Sequence, residues 1–87
     1  MKSKGTVRFW SLYQALPFAI RELARKNYHI WKTNPHHPSL RFRRVQGRVD
    51  LFTVRVWSDY RALGQLVNDQ ITWVWIGTHA EYDRLLS

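Results

Sequence analysis

The chain has 87 residues, enough for one hydrophobic core and below the size at which a second is expected. Five Trp, four Tyr and four Phe can fill that core without help from a metal or a disulfide. The absence of Cys excludes disulfides, thiolate zinc sites and cysteine catalysis together, and fits a reducing, cytoplasmic setting. No apolar run approaches the roughly 18 residues of a membrane-spanning helix. Residues 1–4 are not followed by the apolar segment of a signal peptide, so a soluble protein without a membrane partner is expected. Lys and Arg number 14 against 6 Asp and Glu, a formal charge of +8, and ten of the 14 are Arg. A field of that sign attracts polyanions, and guanidinium groups suit forked contacts to phosphate or carboxylate.

In chain order, residues 1–5 read as a loose polar start, and residues 6–10 (TVRFW) as a short edge strand. Ser11 is expected to cap a short helix ending at Gln14 or Ala15. Pro17 suits the first turn of a longer helix, where its missing N–H goes unused. From residue 18 to 32, Ile20, Leu23, Ala24, Asn27, Tyr28, Ile30 and Trp31 recur at three- and four-residue steps, the stripe of an amphipathic helix lying on a sheet. Asn34 and Pro35 end it, because the residue before proline is pushed out of the helical region. Residues 33–40 (TNPHHPSL) read as a rigid connector. His36 and His37 are adjacent and have no acid or Cys near them, so no metal site is predicted.

Residues 41–82 read as a β-meander threaded with arginines. A first strand spans 42–46 with a turn at Gly47 and Arg48. Residues 52–56 alternate apolar and polar, the period of a half-buried strand. Residues 60–67 and 71–76 are rich in β-branched and aromatic side chains, with polar turns at Ser58 and Asp59 and at Asn68 and Asp69. Strands so close in sequence pair as antiparallel hairpins. Phe52, Val54 and Val56 then share one face, and Thr53, Arg55 and Trp57 the other. A three-residue loop of Trp57, Ser58 and Asp59 sets Arg55 opposite Arg61, an unfavourable like-charge pair unless an anion lies between them. A two-residue turn sets Arg61 opposite Val56 instead. Residues 79–86 read as a terminal helical turn anchored by Leu85 and Leu86.

The histidines and carboxylates show no HExxH spacing, no paired carboxylates at one strand end and no GxSxG elbow, and there is no glycine-rich phosphate loop. Cleavage of RNA asks for less, because the 2′-OH of the substrate is the nucleophile. The protein must align that hydroxyl, move two protons and stabilise charge on the phosphorane. Arginines with one His and one Tyr suffice, since an imidazole titrates at about 6.5.

The order of short helix, long amphipathic helix, HPSL, basic strand, VRVWSDYRALG and WVWIGTHAEYDRLL resembles the RelE/ParE superfamily of toxins from bacterial toxin–antitoxin modules. The resemblance runs from Phe9 to Leu86; its best parts are Tyr60 with Arg61 and the GTHxEYD ending at residues 77–83. It implies an α+β domain over residues 1–87: two N-terminal helices packed on a twisted antiparallel sheet, commonly with a short N-terminal strand, and a short C-terminal helical turn. It also implies cleavage of mRNA on the ribosome without metal or other cofactor. By position, Arg61 matches the arginine that contacts the scissile phosphate, and Arg55 a basic strand residue. His79 matches a general acid or base, and Tyr82 a C-terminal catalytic tyrosine. Arg41, Arg43, Arg44 and Arg48 would contact RNA, and a cognate antitoxin would cover the basic surface in a hetero-oligomer.

Other readings stand beside these. Tyr60 and Tyr82 also suit a core or hinge, His79 could simply cap the terminal helix, and Arg43, Arg44 and Arg48 could form an electrostatic rail. Trp57, Trp73 and Trp75 could stack bases, although core packing or an antitoxin groove accounts better for at least two of them. The alternatives for the whole chain are a ParE-like inhibitor of DNA gyrase and a non-catalytic basic RNA- or protein-binding module.

Overall fold

The computed structural model describes residues 2–87. Strand β1 (Lys2–Gly5) leads into α1 (Val7–Gln14) and α2 (Phe18–Thr33), then a single 3-10 turn at Pro38–Leu40. The meander follows as β2 (Arg43–Arg44), β3 (Leu51–Trp57), β4 (Tyr60–Val67) and β5 (Gln70–Thr78), and α3 (His79–Leu86) ends the chain. The five strands lie in the order β1-β5-β4-β3-β2. All neighbours are antiparallel except β1, which runs parallel to β5. The sheet is therefore mixed, within the α+β layout of helices on a sheet that the sequence implies.

The N-terminus departs from the sequence expectation. Residues 2–5 form a strand rather than a loose start, with Ser3 opposite Ile71 and Gly5 opposite Trp73; the expectation for Met1 lies outside the described residues. Its polar side chains carry no strand signal because the strand is an edge held by backbone pairing. A bond between Ser3 Oγ and Tyr28 Oη, 2.8 Å, ties it to α2 as well. Residues 6–10 are not a strand. Thr6 is extended and its hydroxyl accepts from the Phe9 N–H at 3.1 Å, which starts α1 five residues before the expected cap at Ser11. The Pro17 carbonyl accepts from Ile20 and Arg21 N–H, both at 3.0 Å, at the start of α2. Asn34 leaves the helical region at φ −147° ahead of Pro35.

α1 and α2 cover one face of the sheet. Phe9, Trp31, Val54, Val56, Ala62 and Trp73 are among the buried residues of that layer. Trp31, 1% exposed, is its hub: it meets Trp73 edge-on at 5.2 Å and Phe42 edge-on at 5.7 Å. The other face carries a smaller cluster of Leu51, Leu63 and Trp75, closed by Tyr82 and Leu86 of α3. The first meander strand is only two residues long. Beyond it Val45 still donates to the Leu51 carbonyl, and Gly47, at φ 82°, turns the chain through a bond from Arg48 N–H to the Val45 carbonyl. The β4–β5 turn has Asn68 and Asp69 both left-handed, at φ 50° and 63°, the pattern that matches the twist of a two-residue hairpin.

Two bulges set which side chains share a face. β3 and β4 are joined by a two-residue turn, with Trp57 opposite Tyr60. An unbroken ladder from such a turn would place Val56 opposite Arg61. The register instead slips between Arg55 and Trp57, so Val56 is the extra residue and Arg55 returns to face Arg61. The same slip takes Trp57 out of the face expected for it: it pairs with Tyr60, which packs against the helix-side core. In β5 the slip falls between the Leu63–Trp75 and Gly64–Trp73 pairs, leaving Val74 extra. Trp73 and Trp75, two apart and destined for one face by strict alternation, therefore lie on opposite faces.

The first bulge is held from the helix layer. Asn27 Nδ2 donates to the Val56 carbonyl at 2.7 Å and to the Arg55 carbonyl at 3.4 Å, supplying a partner where the ladder does not. Replacing Asn27 by Leu keeps the helix and removes this donor. Loss of about 1–3 kcal/mol of stability is expected, read as a lower urea midpoint at unchanged slope.

Candidate nucleic-acid interface

The face opposite α1 and α2 is where the arginines gather, and the register explains which ones. Arg43 stands opposite Thr53, and Arg55 opposite Arg61, one pair further along β3 on the same side. Arg41, left-handed at φ 49° after the 3-10 turn, joins them through its charge on Arg61. Partial burial, then the positive charges of Arg55 and Arg41, and more weakly Arg43, push the Arg61 guanidinium below its usual pKa, while Tyr82 acts the other way. Arg61 remains charged in water regardless. The direction of the shift means that the charged form is disfavoured, by burial first and by the neighbouring cations second.

The Arg61 side chain is fixed by the turn beside it. Its Nη1 donates to the carbonyls of Trp57 at 2.8 Å, Tyr60 at 2.9 Å and Ser58 at 3.3 Å. Nε and Nη2 have no partner among the described residues, so the outer edge of the fork is available to a ligand. Among those residues His79–Asp83 is the one contact within ion-pair distance, and no carboxylate lies within that reach of any Arg.

α3 brings the remaining candidates to the same turn. Thr78 caps it in a reciprocal box: its hydroxyl accepts from Glu81 N–H at 3.2 Å, and Glu81 Oε1 accepts from Thr78 N–H at 3.0 Å. The backbone and hydroxyl bonds from Thr78 hold the Glu81 carboxyl below its usual pKa, with a smaller contribution from Arg84. His79 is the first helical residue rather than the cap. Its N–H donates to the Asp59 carbonyl at 2.6 Å, which docks the helix on the β3–β4 turn. Its Nδ1 lies 3.1 Å from Asp83 Oδ2, an orienting contact one helical turn away. Tyr82, half-buried, meets the His79 ring edge-on at 6.0 Å and the Trp75 ring at 6.3 Å. Gly77, opposite Arg61, is small because Trp75 lies over it: a Cβ there would come within 2.6 Å of the indole.

The structure thus gathers Arg55, Arg61, His79 and Tyr82 around one turn, and Arg41 and Arg43 reach Arg61 through their charge. Arg44 and Arg48 lie apart from them. Arg44 sits over the Phe52 ring at 5.3 Å and donates to the Val49 carbonyl. Arg48 borders a cleft with Leu51, Leu63 and Leu86. Trp73 and Trp75 are buried, whereas Trp57 is half exposed. Asn27 and Asp83 escaped the sequence reading: Asn27 was absorbed into the apolar stripe, while the four-residue spacing of His79 and Asp83 was a legible signal. No group of three or more His, Asp or Glu that could hold a metal ion occurs among the described residues, and none of their helices is long and apolar enough to cross a membrane.

A small α+β domain with an arginine-lined sheet face beside a C-terminal helix is the class these features define. The profile of the ParE-like toxin domain matches residues 19–84, and the chain belongs to that family, within the RelE/ParE superfamily of toxins. Solved structures agree. The chain is similar to the RelB–RelE antitoxin–toxin complex from Methanococcus jannaschii, with a TM-score of 0.77 at 13% identity over 95% of this chain and 98% of that one. It is also similar to the archaeal RelE–RelB complex from Pyrococcus horikoshii (TM-score 0.71, 18% identity, 90% of this chain and 93% of that one). The YoeB/ParE toxin from Agrobacterium tumefaciens gives a TM-score of 0.72 at 15% identity over 91% and 99%. At these identities the likeness is one of fold. No curated protein matches the sequence.

The like-charge pair yields a prediction of opposite signs. Arg55→Gln is expected to raise the stability of the free protein by up to about 1 kcal/mol, by removing a repulsive cross-strand pair. The same change is expected to flatten the salt dependence of single-stranded RNA binding, lowering the slope of log K against log salt by about 0.7. Urea denaturation and fluorescence anisotropy at several salt concentrations read the two effects.

Proposed function

We propose that this toxin is a ribosome-dependent mRNA endoribonuclease that works without a metal, the substrate 2′-OH attacking the adjacent phosphorus. The observation that carries the reading is the opposition of Arg55 and Arg61 on an open sheet face with no acid to neutralise them. In-line attack places added negative charge on the non-bridging oxygens of a phosphorane, and two guanidinium groups on one face are suited to receive it. The outer edge of Arg61, held by the turn carbonyls, binds one phosphoryl oxygen, and Arg55 another. His79, oriented through Nδ1 by Asp83, exchanges a proton with the attacking 2′-OH or the leaving 5′ oxygen. Tyr82 supports the second transfer or stacks beside the reacting nucleotide. Arg41 and Arg43 follow the neighbouring phosphates, and Arg44 and Arg48, which lie apart from the pair, contribute charge alone.

The unpaired positive charge also supports an acidic, amphipathic antitoxin as partner, in line with the antitoxin–toxin complexes whose fold this chain shares. Inhibition of DNA gyrase is the second reading. It is favoured by the ParE-like description of the matched family.

Brief induction in bacteria with mapping of mRNA 5′ ends separates the two. The nuclease reading predicts new ends within translated regions that vanish in an Arg61→Ala/His79→Ala double variant. His79→Ala alone should slow cleavage by about 10²–10⁴-fold, the usual contribution of a proton-transfer group. Growth arrest without new ends, together with loss of supercoiling activity, would instead support gyrase as the target. Neither arrest nor new ends would leave a non-catalytic binding module.

A further inference from the structure

The net charge is shared unevenly along the chain, and most of it lies away from the arginine pair. Residues 1–40 hold seven Lys and Arg against one acid, Glu22, a balance of +6; residues 41–87 hold seven against five, a balance of +2. Four of the first seven are on α2, where Arg21, Arg25 and Lys32 recur with His29 at three- and four-residue steps. They form one stripe about 16 Å long. Arg25, His29 and Lys32 are exposed, on the side of the helix away from Trp31 and the sheet. Helix stability does not account for these charges. Arg21 and Arg25 repel at their four-residue spacing, and the first turn of α2, where an acid would answer the helix dipole, has none. Among the described residues no cation of α2 lies within ion-pair distance of a carboxylate. Neutral neighbours hold the stripe instead. Arg21 Nη1 donates to Gln14 Oε1 at 3.2 Å and its guanidinium lies over the Phe18 ring at 5.7 Å, while the Lys32 ammonium lies over the Tyr28 ring at 5.5 Å. The positive charge is thus ordered but not neutralised.

We propose that the outer face of α2 docks on the phosphate backbone of double-helical RNA without reading its sequence. A straight row of cations suits a rigid row of phosphates. A helix lying on its own sheet beside α1 offers only this outer face, so it meets phosphates rather than base edges. The rings beside the stripe, Phe18 and Tyr28, are already covered by Arg21 and Lys32. That leaves neither ring free to stack on unpaired bases or to anchor in a protein pocket. The arginine pair faces the opposite side of a domain 26 Å across at its narrowest, more than twice the Debye length of about 8–10 Å. One molecule can therefore hold a duplex by α2 and a single strand at the pair. The choice of RNA over DNA rests on the nuclease reading; the duplex surface does not.

The test is fluorescence anisotropy of the full chain with a 2′-O-methyl RNA duplex, the matching single strand and a DNA duplex, at several salt concentrations. Arg25→Gln/Lys32→Gln changes two exposed side chains to a good helix former. It should weaken duplex RNA binding by about tenfold at about 0.1 M salt and lower the slope of log K against log salt by about two. Single-strand binding should change by less than about twofold. Arg55→Gln/Arg61→Gln should do the reverse. Equal loss of both RNA ligands in either variant would show one diffuse field and overturn the proposal. So would absence of duplex binding by the wild-type protein, or a DNA duplex bound as tightly as RNA. Displacement of the duplex by a lower concentration of poly-glutamate would assign the stripe to an acidic protein and overturn it too. The probe cannot be cleaved, so these outcomes are independent of mRNA cutting. Cuts in cells without duplex binding would sink this inference alone, and duplex binding without cuts would sink the nuclease reading alone.

Discussion

One side-chain amide in α2 determines what the far face of the sheet can do. Asn27 donates to the carbonyls at the Val56 bulge, and the bulge is what returns Arg55 to the position opposite Arg61. Without the extra residue, a two-residue turn would set Arg61 against Val56, a core side chain facing α2. The arginine would then be driven toward the helix layer, where its charge would be costly to bury. The bulge is therefore a constraint shared by both layers. It closes the hairpin with a short turn and keeps Val56 in the core, yet leaves both guanidinium groups on the open side.

The arrangement is strained electrostatically, and that strain has a functional reading. Two arginines directly opposed, with Arg41 and Arg43 nearby and no acid partner, cost the free protein stability that a purely structural design would avoid. The fold offsets the cost elsewhere. Trp31 anchors an aromatic cluster on one face, and α3 covers Leu63 and Trp75 on the other through a helix that starts in a reciprocal capping box. Bound phosphate or a partner carboxylate turns the same repulsion into attraction. A surface so built is lower in energy with an anion seated between the two guanidinium groups than without one.

Much of this fold was legible from local signals. The 3.6-residue stripe of α2 and its end before Pro35 were readable, as were the alternation of β3 and the polar turns of the meander, because each depends on neighbours in sequence. What escaped was non-local. β1 is a polar edge strand that exists only through its parallel pairing with β5. TVRFW has β-branched and aromatic residues suited to a strand, but the Thr6 hydroxyl captures the Phe9 N–H and starts a helix. Neither bulge announces itself, so alternation alone put Trp57 on the arginine face and could not part Trp73 from Trp75. At the candidate site, the sequence leaves two registers open, a three-residue loop with Arg55 opposite Arg61 and a two-residue turn with Arg61 opposite Val56. The structure sets Arg55 opposite Arg61 by a two-residue turn and a bulge. The box formed by Thr78 and Glu81 was present in the sequence as T-x-x-E, and it shows that His79 is placed by a cap rather than acting as one.

In the proposed function the arginine pair is an anion site assembled by the bulge. The most direct measurement follows the arginine Nε–Hε signals by NMR while a short 2′-O-methyl RNA, which cannot attack itself, is added to the wild-type and Asn27→Leu proteins. Saturable shifts centred on Arg55 and Arg61, weakened together when Asn27 is replaced, are the predicted result. Shifts centred on Arg48 with the pair unmoved, or a pair that responds identically in a folded Asn27→Leu protein, would contradict it.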